Sequence, residues 1–312
     1  MKRYTFSFLL IFIFIIMLIR PSDVFLGAQT GLLLWFNIVL PTLFPFMIIS
    51  SLIINTSTLS YISKFTGPLF HRFLGISYSG SFAVLGGFLC GYPMGAKITA
   101  DLITTHKITR EEGAYLLSFC NNTSPMFLIS YILWQQVKDD TLILPSVLIF
   151  FGAPLVCSKL FYMFHYKKLL KHSVNPTFSS QKNVDFHFSL LDRCIMKSME
   201  SIVSVGGYII VFSIIISLIQ STDFLGGTLK LLCLSSLEIT NGITLICNSS
   251  FSPDFRGLLS LSLASFGGLC ATAQTSCMVQ DCQLSIKTYL IEKLVTTIVT
   301  SLCAYTYLIM FR

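Results

Sequence analysis

The sequence predicts an all-α polytopic membrane protein built from two inverted repeats, each about three transmembrane helices plus one re-entrant hairpin. Three observations lead there. Of the 312 residues, 54% are hydrophobic and 11% charged, where a soluble domain carries about 25% charged residues. Apolar runs long enough to cross a bilayer recur between short polar connections. Two glycine-bearing stretches, "GGFLCGYPMGAK" at 86–97 and "FGGLCATAQTSC" at 266–277, interrupt that pattern at matching places in the two halves.

The spans follow in order. Residues 5–26 read as a retained first helix, since Leu26 occupies the place where signal cleavage before Ala28 wants a small side chain. Further spans are expected at about 31–54, 112–134, 142–165, 199–220 and 286–310. Segments 80–100 and 257–280 are apolar but rich in Gly, Ser and Thr, and 224–252 is intermediate, suited to a helix along or partly within the membrane.

Charge sets the topology. Lys2 and Arg3 place the N-terminus in the cytoplasm. The basic segment 166–198, with Lys167, Lys168, Lys171, Lys182, Arg193 and Lys197, belongs there too. Connections 55–79 (Lys64, His71, Arg72) and 101–111 (Lys107, Arg110) both read as cytoplasmic, so 80–100 must dip in and return. The expected division is a first repeat over 1–140 and a second, inverted one over 141–312 that re-enters at 257–280. Three crossings in each half oppose the two orientations, the logic of secondary transporters, and both termini fall in the cytoplasm. "LPTLFPFMIISSLI" (40–53) answers "VGGYIIVFSIIISLI" (205–219) ahead of each expected hairpin.

Backbone that leaves a helix inside lipid needs partners for its N–H and C=O groups. Glycine permits such a turn, and proline begins a half-helix without an N–H. Gly91, Tyr92, Pro93, Met94 and Gly95 are therefore the expected tip of the first hairpin. Lys97, one turn later, adds a full charge to the positive end of the restarting helix, a receptor for an anion. Close packing of glycine faces, with Lys97 reaching the surface, is the competing reading.

Asn121, Asn122, Thr123 and Ser124 form a polar cluster that Pro125 ends. In lipid they should face the bundle interior, either binding substrate or fastening the broken helix to the hairpin. Gln274 is the matching polar residue of the second half. Glu238 and Asn241, in "LEITNG", are candidates for ion or proton coupling if that segment lies within the membrane, and a solvated pair if it lies at the surface.

Other chemistry is not supported. The ten cysteines form no CxxC pair, the five histidines no HExxH, and no GxSxG or paired carboxylates at catalytic spacing occur. No enzyme activity, metal site or cofactor is expected. The net charge of +7 fits a cytoplasmic face in an anionic bilayer and needs no nucleic acid.

"LPTLFPFMI", "GGFLCGYPMGAK", "CNNTSPMF", "LEITNG" and "SFGGLCATAQ", in that order, resemble the sporulation integral membrane protein YlbJ family, whose members carry nucleoside-recognition (Gate) domains. The resemblance runs over nearly the whole chain. It implies a bacterial protein of the mother-cell-derived outer forespore membrane, concerned with moving dipicolinate toward the spore. The expectation is thus a transporter or facilitator for a small organic anion. The alternative is a non-transporting protein needed for spore cortex or envelope assembly, whose basic 166–198 segment docks a partner or anionic headgroups. The lipid bilayer is a partner in either case, and a homo-oligomer or a spore-assembly partner remains open.

Overall fold

The computed structural model describes residues 2–170, 187–221 and 227–312, and within them the chain is helical throughout, without strands. Lys171 and Lys182, assigned above to a cytoplasmic segment, lie outside the described residues. Among the described residues, five helices are long and apolar enough to cross a membrane, as a multi-pass protein requires.

Helix α1 spans Lys2–Ile19. It stops because Arg20 precedes a proline and takes a non-helical backbone (φ −124°, ψ 59°), the bias proline imposes on its neighbour. Arg20 is then held by the Ser221 carbonyl and hydroxyl, both at 2.7 Å. The first expected span therefore ends sooner than residue 26, and the second starts earlier: α2 runs from Pro21 to Asn55. Gly27 and Gly31, one turn apart, bring α2 against α9 (Phe188–Gln220) at Ile210, Ser213 and Ile214, the close approach that small residues allow between helices in lipid. Helix α3 (Thr58–Leu74) ends at Gly75, whose φ of 71° closes a left-handed cap.

Helices α4 (Gly80–Cys90) and α5 (Met94–Thr104) pack along one another across the turn Gly91–Pro93. The turn falls within the 80–100 segment. Next comes α6 (Arg110–Cys120), N-capped by Thr109. Its Glu112 accepts a hydrogen bond at 2.6 Å from the Ser77 amide, fastening the approach to α4. The chain leaves the helix at residues 121–124 and resumes at Pro125, continuing as α7 (Phe127–Val137) with widened turns. Four side chains that compete for backbone groups, followed by a proline, account for the break. Helix α8 (Asp140–Leu170) completes this half.

The second half departs from expectation. Helices α10 (Gly227–Leu237) and α11 (Ile239–Cys247) pack on each other across Glu238, so the segment expected along the membrane is the fold-back. Segment 257–280, expected to be re-entrant, holds α12 (Pro253–Phe266) and α13 (Gly268–Met278), which follow one another without folding back. Helix α12 packs on α14 (Ile286–Phe311), α11 and α7, whereas α13 packs on α9, α10 and α5. Gly267 and Gly268, with φ of 84° and 82°, make the bend that only glycine takes freely. From α2 to α8 the order is a long helix, α3, a folded-back pair, an interrupted helix and a closing long helix; from α9 to α14 the order is the same but has no counterpart of α3.

Candidate functional site

The tip of the first fold-back and both interruptions meet at one place. Gly91, at φ +82°, lies so close to Ser124 that a Cβ would collide with it, and a Cβ on Gly87 or Gly95 would strike the Cys120 carbonyl. Those glycines press α4 and α5 onto the end of α6. The Tyr92 hydroxyl donates to the Ser265 carbonyl at 3.1 Å, just before the Gly267 bend, and the Thr123 hydroxyl donates to the Ala264 carbonyl at 2.9 Å. Hairpin, first break and second break are tied together by backbone oxygens that irregular helix ends leave free.

Asn121 is the centre of the arrangement. Its Oδ1 accepts from the Ala96 amide at 3.3 Å, while its Nδ2 donates to the Thr275 hydroxyl at 2.8 Å and to the Tyr289 hydroxyl at 3.0 Å. One side chain therefore joins α5, α13 and α14. The start of α5, expected to offer open amides to an anion, is engaged from within: the Ala96 amide faces Asn121, and the Met94 amide donates to the Gly91 carbonyl at 2.7 Å.

Lys97 is buried in an ion pair. Its Nζ lies 2.7 Å from an Asp101 oxygen one turn along the same helix, and the other oxygen of Asp101 meets Lys197 of α9 at 2.8 Å. Its charge is thereby answered inside the protein. Met94 is fully enclosed core. Gln274, at 3.3 Å from the sulfur of Cys270, stays on its own helix and does not join the Asn121 cluster; its neighbour Thr275 does.

The lysine at the junction is Lys293 of α14. It is 2% exposed, and its Nζ donates at 2.8 Å to both the Asn121 carbonyl and the Asn122 Oδ1, with the Tyr92 ring centroid 4.9 Å away. No carboxylate reaches ion-pair distance of it among the described residues. Only neutral oxygens and an aromatic face answer a full charge that burial makes costly. Neither glycine nor proline marks its place in the sequence. The signal was "YLIEKLVTT" (289–297), a Glu-Lys pair in the middle of an apolar span, and an ionisable residue within a span is a functional-site pointer by default.

Glu238 sits at the turn between α10 and α11, 4% exposed. It caps α11, accepting from the Thr240 amide at 3.0 Å, the Asn241 amide at 2.9 Å and the Asn241 side-chain amide at 2.9 Å. These donors satisfy the orphan amides of a helix start and account for both residues structurally. Neither the solvated-surface reading nor a free coupling carboxylate describes them.

Interrupted helices, a folded-back tip and a buried cation thus meet at one place in a multi-pass helical membrane protein. Comparison with known proteins gives the particular relationship. Residues 36–136 match the Gate family model, described as nucleoside recognition. The chain is also 25% identical to the sporulation integral membrane protein YlbJ of Bacillus subtilis strain 168, over 88% of this chain and 75% of that one. The resemblance carried by the motifs is thus matched by similarity to YlbJ along most of the chain and to the Gate model over residues 36–136. No solved structure matches it.

Proposed function

We propose that this protein is a sporulation-associated transporter or facilitator for a small organic anion, with dipicolinate as the solute, and that Lys293 holds the solute's carboxylate. The observation that carries the reading is Lys293 itself, a buried cation without a carboxylate at the meeting point of a helix tip and two helix breaks. In the closed arrangement, the Asn121 carbonyl and Asn122 Oδ1 take the two places that one carboxylate's oxygens would occupy. Exchanging neutral acceptors for an anionic one strengthens each hydrogen bond. The Tyr92 ring, already beside Lys293, offers a face to a planar aromatic acid.

Access to Lys293 requires the α4–α5 pair to move against α6. The two halves, taken as inverted repeats with cytoplasmic termini, supply such a motion by rocking about the shared site. The proposed setting is the outer forespore membrane, as the resemblance to the YlbJ family implies. Purified protein in proteoliposomes should take up radiolabelled dipicolinate above protein-free vesicles, with unlabelled dipicolinate, but not uridine, competing. Uptake no greater than in empty vesicles would reject transport and favour a role in envelope assembly.

A further inference from the structure

Lys293 has a neighbour that the proposed binding step leaves unused. Glu292 is 7% exposed and lines a cleft of about 250 Å³. Arg110 and His165 stand at the exposed rim of that cleft; Tyr166, Tyr289 and Glu292 are its buried inner wall. Tyr289 is also the residue whose hydroxyl accepts from Asn121. The cleft therefore ends one hydrogen bond from the break that Lys293 occupies.

Glu292 makes no ion pair among the described residues; its polar neighbour is the Tyr166 hydroxyl. Its surroundings can be stated element by element. Helix α6 contributes Arg110 and Glu111, α8 contributes His165 and Tyr166, and its own helix contributes Tyr289. Arg110 is drawn to the Gln283 side chain and carbonyl. Helix α13 has no charged residue. The Asp254 and Arg256 of α12 belong to the far end of α14, where Asp254 meets Arg312.

We infer that Glu292 is a proton-binding site loaded through this cleft, and that a proton is taken up there when an anion binds Lys293. The inference rests on the transport reading for its second half only. With Glu292 ionised and Lys293 protonated, the empty site is neutral. A bound dipicolinate dianion adds two negative charges in a region of low dielectric, where uncompensated charge is costly. Protonating Glu292 cancels one of them, the proton passing from a hydronium ion in the cleft to the carboxylate, so that one O–H bond breaks and one forms. Binding of the two is then linked, each raising the affinity of the other by the same factor.

The test compares wild type with Glu292→Gln, which keeps the shape and a hydrogen-bonding group for Tyr166, in proteoliposomes with radiolabelled dipicolinate. Wild type should accumulate dipicolinate about 10-fold more under an inward proton gradient of about one pH unit than without one, since one coupled proton supports a tenfold concentration ratio per pH unit. Glu292→Gln should lose that accumulation yet keep exchange of internal for external dipicolinate. Retention of both, or loss of both, overturns the inference. Should wild type move no dipicolinate, the transport reading fails by itself, and the proton site is judged separately. Reconstituted wild type should show a carboxyl stretch in acid-minus-alkaline infrared difference spectra that Glu292→Gln lacks and Glu292→Asp shifts. A spectrum unchanged in both variants overturns the site.

Discussion

Two buried lysines of this molecule are answered in opposite ways. Lys97 lies beside the most distinctive glycine motif of the chain, yet Asp101 on its own helix neutralises it, and Lys197 shares that carboxylate. Lys293 stands in an undistinguished apolar helix, yet it is the cation left facing only neutral oxygens where two helix breaks meet. Nearness to a motif in sequence therefore says less than what answers a charge in space. A buried ion is available to a ligand only where the protein leaves it unmatched.

The sharpest way to break this contrast is to remove each charge in turn. Lys293→Met should weaken dipicolinate binding by roughly 30- to 1,000-fold, the size expected when a buried charge partner is lost. Equilibrium binding to detergent-solubilised protein, with helicity checked by circular dichroism, measures it. Binding within a few-fold of wild type would take Lys293 out of the site. Lys97→Met should do the reverse, leaving affinity nearly unchanged in the protein that inserts and lowering stability by about 3 kcal/mol, the low end for a broken buried pair because Lys197 still meets Asp101. Pairing it with Asp101→Asn should restore most of that loss in thermal unfolding, since the orphaned carboxylate goes with its partner.

How much of this was legible beforehand depends on which physical cue each element carries. The spans within α2, α8, α9 and α14 were plain from composition, because lipid demands unbroken apolar runs. The one expected at 5–26 instead ends at Ile19, and Pro253–Met278, expected to be re-entrant, is itself long and apolar enough to cross. The break at 121–124 was equally plain, since Asn121 to Ser124 compete with helix hydrogen bonding and Pro125 cannot continue the turn. The fold-back at Glu238 was not. It contains neither glycine nor proline at its corner, and its turn is stabilised by a carboxylate cap that only the folded chain brings into place. Gly267 and Gly268 misled for the converse reason. A glycine pair permits positive φ, but whether the chain returns or goes on is decided by what the two helices pack against, here α14 for one and α9 for the other. Lys293 was visible as a charge inside a span; that its neighbours were oxygens and not a carboxylate depended on contacts some 170 residues away in sequence.

The smallest effect sharpens the comparison from the Lys97 side. Lys197 is half-exposed, with 49% of its side chain open, while the Asp101 it meets is 6% open. Water screens such a partner and its long side chain must be ordered to hold the contact, so Lys197→Ala should cost about 0–1 kcal/mol in thermal unfolding. Dipicolinate affinity should not change, because Lys97 alone continues to answer the buried carboxylate. If Lys197→Ala instead destabilised the protein as much as Lys97→Met does, the two lysines would be equal partners of Asp101. Lys97 would then be only partly neutralised, and the distinction between a matched lysine and an unmatched one would lose its basis.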